Sequence, residues 1–212
     1  MLIFNAPYPG PLKNSLLTGW GSGKVKTGRN MKNAIILHGT GDSPDDFWFP
    51  YLRKELERKG YSVWLPQLPN AQKPNVKDWL AFILENEKIN NKTVLIGHSA
   101  GAQIILSLLA KSDTKVKQAI LVSGYAKPLP KDINSEMNKD EYDWEAIRGK
   151  AGQFIFINSD NDPWGYDDKQ GKIMVEHLGG KLIVRHEGHM GSTKFNQPYK
   201  KFPLIVELIE QN

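Results

Sequence analysis

Apolar residues gather in six short runs along the chain, at 34–37, 62–65, 93–96, 118–122, 154–157 and 181–184. Most of these runs lack alternating polar positions. That pattern suits strands covered on both faces, as in a parallel sheet flanked by helices. Between the runs the apolar spacing becomes helical. Residues 45–59 close with Arg58 and Lys59, cations suited to the negative end of a helix, and Gly60 then stops it. Residues 76–88 place Trp79, Leu80, Ile83 and Leu84 on one face. Residues 100–111 are strongly apolar, 166–178 end at Gly179-Gly180, and 198–210 close the chain with Pro203 interrupting the start. Alternation of strand and helix predicts an α/β domain, a three-layer α/β/α sandwich around a mostly parallel sheet of about six strands.

Two segments break the rhythm. Residues 1–30 hold Pro7, Pro9, Pro11 and five glycines among scattered apolar positions, which reads as an arm without a packed core. Its leading cluster, Leu2-Ile3-Phe4, is too short for the apolar region of a signal peptide. Met31 stands just before the first apolar run, so the folded domain is expected to cover 31–212, with the arm an added or mis-started extension. Residues 124–150 follow a strand and are mostly polar, with Pro128 and Pro130. Connections this long are often functional. A small cap over a site and a solvated loop with a short helix fit the segment equally.

Composition narrows the function. The chain has 212 residues, 40% apolar and 24% charged, which suits one soluble domain with a sizeable core. No apolar run reaches the length of a membrane span. The absence of cysteine excludes disulfides, thiolate catalysis and cysteine-based metal sites, and it fits a reducing, cytoplasmic setting. The formal charge of +5 suggests nucleic acid until it is located. Lys13, Lys24, Lys26, Arg29 and Lys32 precede the first acid, Asp42, and account for the whole excess. The remaining body is neutral and has no net field for phosphates.

The candidate chemistry starts in "TVLIGHSAGAQIILSLLA", residues 93–110. A strand here turns abruptly into a helix, with Ser99 at the apex. Gly97 and Gly101 let strand and helix approach without side-chain clash, and the helix N-terminus favours negative charge. Such a serine suits nucleophilic attack on a carbonyl. It needs a base. Of the five histidines, His98 is adjacent to Ser99 and points away from it. His177 falls within a helix, and His38 and His186 end strands. His189, in the loop "EGHMG" past the last core strand, lies at the sheet edge where parallel strands place sites. Asp160 and Asp162 both follow the strand at 154–157. Asp162 precedes Pro163, which holds its backbone extended, and is the preferred orienting carboxylate; Asp160 then reads as a turn former. The glycine-rich turn "ILHGTGD" at 36–42 offers the Thr40 amide, with that of Ala100, as an oxyanion hole. Phe47, Trp48, Tyr125 and Trp164 fit a pocket wall or the core equally well. A His186/His189 metal pair lacks the carboxylate pattern of zinc helices, and "HGTGD" lacks the lysine of a phosphate loop.

The motifs "LHGTGD", "LIGHSAGA", "SDNDPW" and "EGHMG" resemble, in this order, those of small α/β-hydrolases, and most of all the compact serine hydrolases of the retinoblastoma-binding-protein type. The likeness covers 31–212. It implies a Ser99–Asp162–His189 triad, while fold and triad do not fix a substrate. Acyl transfer through such a triad needs no cofactor or metal, and a chain too short for a large lid is expected to offer a shallow site for small esters. An amidase or peptidase with the same triad remains open, as does a non-catalytic hydrolase-fold module that binds a protein partner. The first expectation concerns the arm. Deleting residues 1–30 leaves folding and activity intact; loss of either, followed by circular dichroism and turnover, would refute the domain boundary.

Overall fold

The computed structural model describes residues 2–6, 32–129, 135–137 and 141–210. Seven strands form one sheet in the order β1-β7-β6-β5-β4-β2-β3. They are β1 (Leu2–Ala6), β2 (Asn33–Leu37), β3 (Ser62–Trp64), β4 (Val94–His98), β5 (Gln118–Val122), β6 (Phe154–Ser159) and β7 (Gly180–Arg185). Every pairing from β3 to β7 is parallel, and β1 alone runs antiparallel, with Ile3 opposite Ile183.

The helices are α1 (Phe49–Arg58), α2 (Val76–Asn86), α3 (Ala100–Lys111), α4 (Trp144–Ile147), α5 (Asp168–Leu178) and α6 (Pro203–Glu210). Strand side chains alternate between the two faces of the sheet. In β2, Ile35 and Leu37 join the core beneath α2, α3, α4 and α5, while Ala34 and Ile36 join the core beneath α1 and α6. The three expected layers are therefore present. All residues of β2, β4, β5 and β6 are buried, which is why their sequences carry no polar alternation.

The structure departs from the expected elements at their edges. Helix α1 starts at Phe49 rather than 45, because Asp46 accepts hydrogen bonds from the Ser43 amide and hydroxyl and closes a turn there. Helix α6 starts at Pro203, a residue whose fixed φ and missing N–H suit a first helical position. The seventh strand, β1, was not expected. It occupies the free edge of β7, and Leu2, Ile3 and Phe4 remain more than half exposed. The rest of the N-terminal arm, residues 7–30, lies outside the described residues, as does Met31.

The C-terminal ends of the parallel strands gather the functional candidates. His38 follows β2, Ser99 follows β4, Ser123 follows β5, Asp160 follows β6 and His186 follows β7. The approach of α3 to the end of β2 sets their spacing. A Cβ on Gly101 would lie 2.7 Å from the His38 carbonyl oxygen and closer still to that of Leu37; one on Gly97 would collide with the Gly101 carbonyl. These atoms are backbone and cannot step aside. Gly101→Ala is expected to cost about 3 kcal/mol or more. Chemical denaturation of the variant checks this, and an unchanged midpoint would contradict the packing described.

Candidate active site

Ser99 caps α3 in a left-handed conformation, φ 53° and ψ −119°. A non-glycine residue there is strained by roughly 1–3 kcal/mol. The surroundings hold it: its amide donates to the Val122 carbonyl of β5 (2.9 Å), and its own carbonyl accepts from the Ala102 amide (2.9 Å). The neighbouring loop closes tightly too, since a Cβ on Gly39 would meet the Ser99 Cβ at 3.1 Å.

His189 and Asp162 meet across 27 residues of sequence. The His189 Nδ1 lies 2.7 Å from Asp162 Oδ2, and both side chains are buried. The other carboxylate oxygen, Oδ1, accepts the Trp164 amide at 2.8 Å. With a carboxylate on Nδ1, that nitrogen carries the proton and Nε2 is left as a base. Burial pushes the His189 pKa below its usual value; the hydrogen bond to Asp162 opposes the shift, and His98 adds to it.

Ser99 and His189 line one cavity of about 480 Å³, together with Thr40, Asp42, Tyr125, Ser135, Trp164, Tyr166 and the Gly191–Lys194 turn. In the loop before Asp42, the Gly39 amide donates to Asp42 Oδ2 (3.2 Å), the Gly41 amide to Ala71 (2.7 Å) and the Asp42 amide to Gly39 (3.4 Å). Among the described residues the Thr40 amide has no acceptor, nor has that of Ala100 in the first turn of α3.

Each remaining candidate has a definite place. Tyr125 and Trp164 line the cavity, and Tyr125 stacks on Tyr166 with ring centroids 4.0 Å apart. Phe47 and Trp48, which fitted wall or core, are buried in the α1/α6 core and are not part of the wall. Asp160 pairs with the exposed His186 at 2.6 Å. His186 and His189 thus turn to separate carboxylates instead of converging as a metal pair. Among the described residues, no group of three or more His, Asp or Glu is arranged to hold a metal ion. His38 Nε2 accepts the Leu68 amide (3.0 Å), so its ring is a buried brace whose pKa burial lowers. His177 stacks on Trp144.

The sequence reading missed what holds the His189 loop. His98 Nε2 donates to the His189 carbonyl at 2.9 Å, and the Ser123 hydroxyl donates to the same oxygen at 3.0 Å. The indole N–H of Trp48 donates to the Met190 carbonyl (2.9 Å), and the His189 amide donates to the Gln197 side chain (2.9 Å). His98 therefore points away from Ser99, as expected, and towards the backbone of the candidate base. No local pattern marks Ser123 or Gln197 for this task.

The profile of the serine hydrolase family matches residues 34–211. The chain belongs to the serine hydrolase family. It is 27% identical to YdeN of Bacillus subtilis over 186 residues, which is 84% of this chain and 94% of YdeN. The crystal structure of YdeN superposes with a TM-score of 0.77, covering 85% of this chain and 98% of YdeN. The serine hydrolase RBBP9 of Rattus norvegicus is 28% identical over 171 residues, 77% of this chain and 90% of its own. Est1E of Butyrivibrio proteoclasticus, at 12% identity and a TM-score of 0.61 over 87% of this chain and 90% of its own, shares the fold. The hydrolase thus has the α/β-hydrolase fold and is of the compact, retinoblastoma-binding-protein type. No helix among its described residues is long and apolar enough to cross a membrane.

A titration checks the electrostatics. The His189 ring, followed by NMR, is expected to protonate with a midpoint below the usual value near 6.5. Asp162→Asn removes a charge that raises this pKa, so the midpoint should fall further. A midpoint at or above that usual value in the unaltered protein would contradict the burial described.

Proposed function

We propose that the protein cleaves small carboxylic esters through a Ser99–His189–Asp162 triad and an acyl-enzyme intermediate. The observation that carries the reading is the 2.7 Å His189–Asp162 contact on a histidine that shares its cavity with the strained Ser99. The deprotonated Nε2 takes the Ser99 proton as the oxygen adds to the ester carbonyl. Asp162 holds the tautomer and stabilises the imidazolium. The Thr40 and Ala100 amides, without an acceptor among the described residues, are suited to bind the oxyanion, each worth about 10²–10³ in rate. As the C–O bond breaks, His189 returns the proton to the departing alcohol. Water then adds to the acyl-enzyme with His189 again as base, releasing the carboxylic acid and restoring Ser99. One ester and one water give one acid and one alcohol, with no redox change.

The aromatic side chains of Tyr125, Tyr166 and Trp164 suit short or aryl groups in a cavity of this size. The cytoplasm is the setting we assign, since a cysteine-free chain suits a reducing compartment. The test is labelling by a fluorophosphonate probe together with turnover of p-nitrophenyl esters. Ser99→Ala should abolish both. Asp162→Asn should lower kcat by about 10⁴ with the circular dichroism spectrum unchanged. Full turnover by purified Ser99→Ala protein would end the proposal.

A further inference from the structure

We infer that the turn following His189 forms a carboxylate-binding subsite, built from Ser192 and Lys194, and that the enzyme prefers esters whose alcohol portion bears an anionic group. The inference rests on the esterase reading above. Its first support is the position of Lys194. The ammonium lies 4.4 Å from the centre of the Trp164 ring and 5.6 Å from that of Phe195. Phe195 in turn meets Trp164 edge-on at 5.1 Å. The two rings hold a long, mobile side chain at the cavity wall, so less freedom is lost when an anion arrives. No carboxylate among the described residues forms an ion pair with Lys194.

Ser192 is the second support. It is only 6% exposed, yet it lines the cavity. Its amide donates to the Gln197 carbonyl (3.0 Å) and its carbonyl accepts the Gln197 amide (2.8 Å), which fixes the turn. Its hydroxyl has no partner among the described residues. The hydroxyl is not among the buried side-chain atoms that lack a partner, so it stays accessible from the cavity although the residue around it is buried. It is available to donate to a ligand that enters the cavity.

The cavity is also polarised. Asp42 lies on the wall that carries the Thr40 amide, with its carboxylate engaged by the Gly39 amide. An anionic substrate group is repelled there and attracted to Lys194. In the proposed reaction the ester carbonyl oxygen faces Thr40, and the alcohol departs beside His189. The chain that leaves His189 runs directly into Ser192 and Lys194, so the alcohol portion is the part that meets the cation.

The experiment compares kcat/KM for 4-acetoxybenzoate with that for its neutral methyl ester, using the full chain. The ratio of charged to neutral substrate is expected to fall about five- to tenfold in Lys194→Gln, to drop further in Lys194→Glu, and to shrink as salt is added. An unchanged ratio in both variants overturns the subsite. Dependence on Lys194 for methyl hydrogen succinate, whose carboxylate is on the acyl side, and not for 4-acetoxybenzoate overturns the assignment to the alcohol. Calorimetric binding of 4-hydroxybenzoate to Ser99→Ala protein, with and without Lys194→Gln, reads the subsite without turnover. Weaker binding in the double variant supports it, and equal binding overturns it, even if the esterase reading itself fails for want of labelling at Ser99.

Discussion

The first turn of α3 lies against the last carbonyls of β2, closer than any side chain would allow. Gly101 makes this contact, and Gly97 lets the chain leave β4 steeply enough to reach it. Ser99 between them has no relaxed conformation available and is driven to φ 53°. Its side chain is then held above the sheet edge, and the helix N-terminus lies beneath it. The position of the hydroxyl is therefore a consequence of backbone packing, and the local strain is borne by the two buried cores on either side of the sheet.

The other half of the site depends on burial. Asp162 is a carboxylate withdrawn from water, and both of its oxygens are occupied, one by the His189 ring and one by the Trp164 amide. A buried charge so engaged resists displacement, because breaking either contact leaves an unsatisfied anion. The His189 ring is thereby aligned from its Nδ1 side. Its backbone is aligned separately by His98, Ser123 and Gln197. Ring and main chain thus have independent supports, the ring from the loop after β6 and the main chain from β4, the end of β5 and the C-terminal loop.

The same arrangement divides the cavity into unlike walls. The loop after β2 brings Thr40, whose amide has no acceptor among the described residues, and the carboxylate of Asp42. The turn after His189 brings Ser192 and Lys194. Under the proposed reaction, a carbonyl oxygen belongs at the first wall and an anionic substituent at the second. Trp164 joins the two functions, since its amide holds Asp162 and its ring holds Lys194.

Much of this was legible in the linear chain. The uninterrupted apolar runs of β2, β4, β5 and β6 record burial on both faces, and the helical spacing of α2 and α3 records their inner faces. The Gly-x-Ser-x-Gly spacing around Ser99 and the Asp162-Pro163 step describe backbone shape, which neighbours in sequence largely dictate. Tertiary structure decided the rest. Strand β1 exists because β7 has a free edge, and nothing within Leu2-Ile3-Phe4 announces that. Phe47 and Trp48 went to the core because α1 packs there with α6, an outcome local hydrophobicity cannot choose. The bonds from His98 and Ser123 to His189 span 91 and 66 residues. Sequence encodes the conformations its near neighbours allow; which distant carbonyl a buried donor meets is set only when the layers close over the sheet.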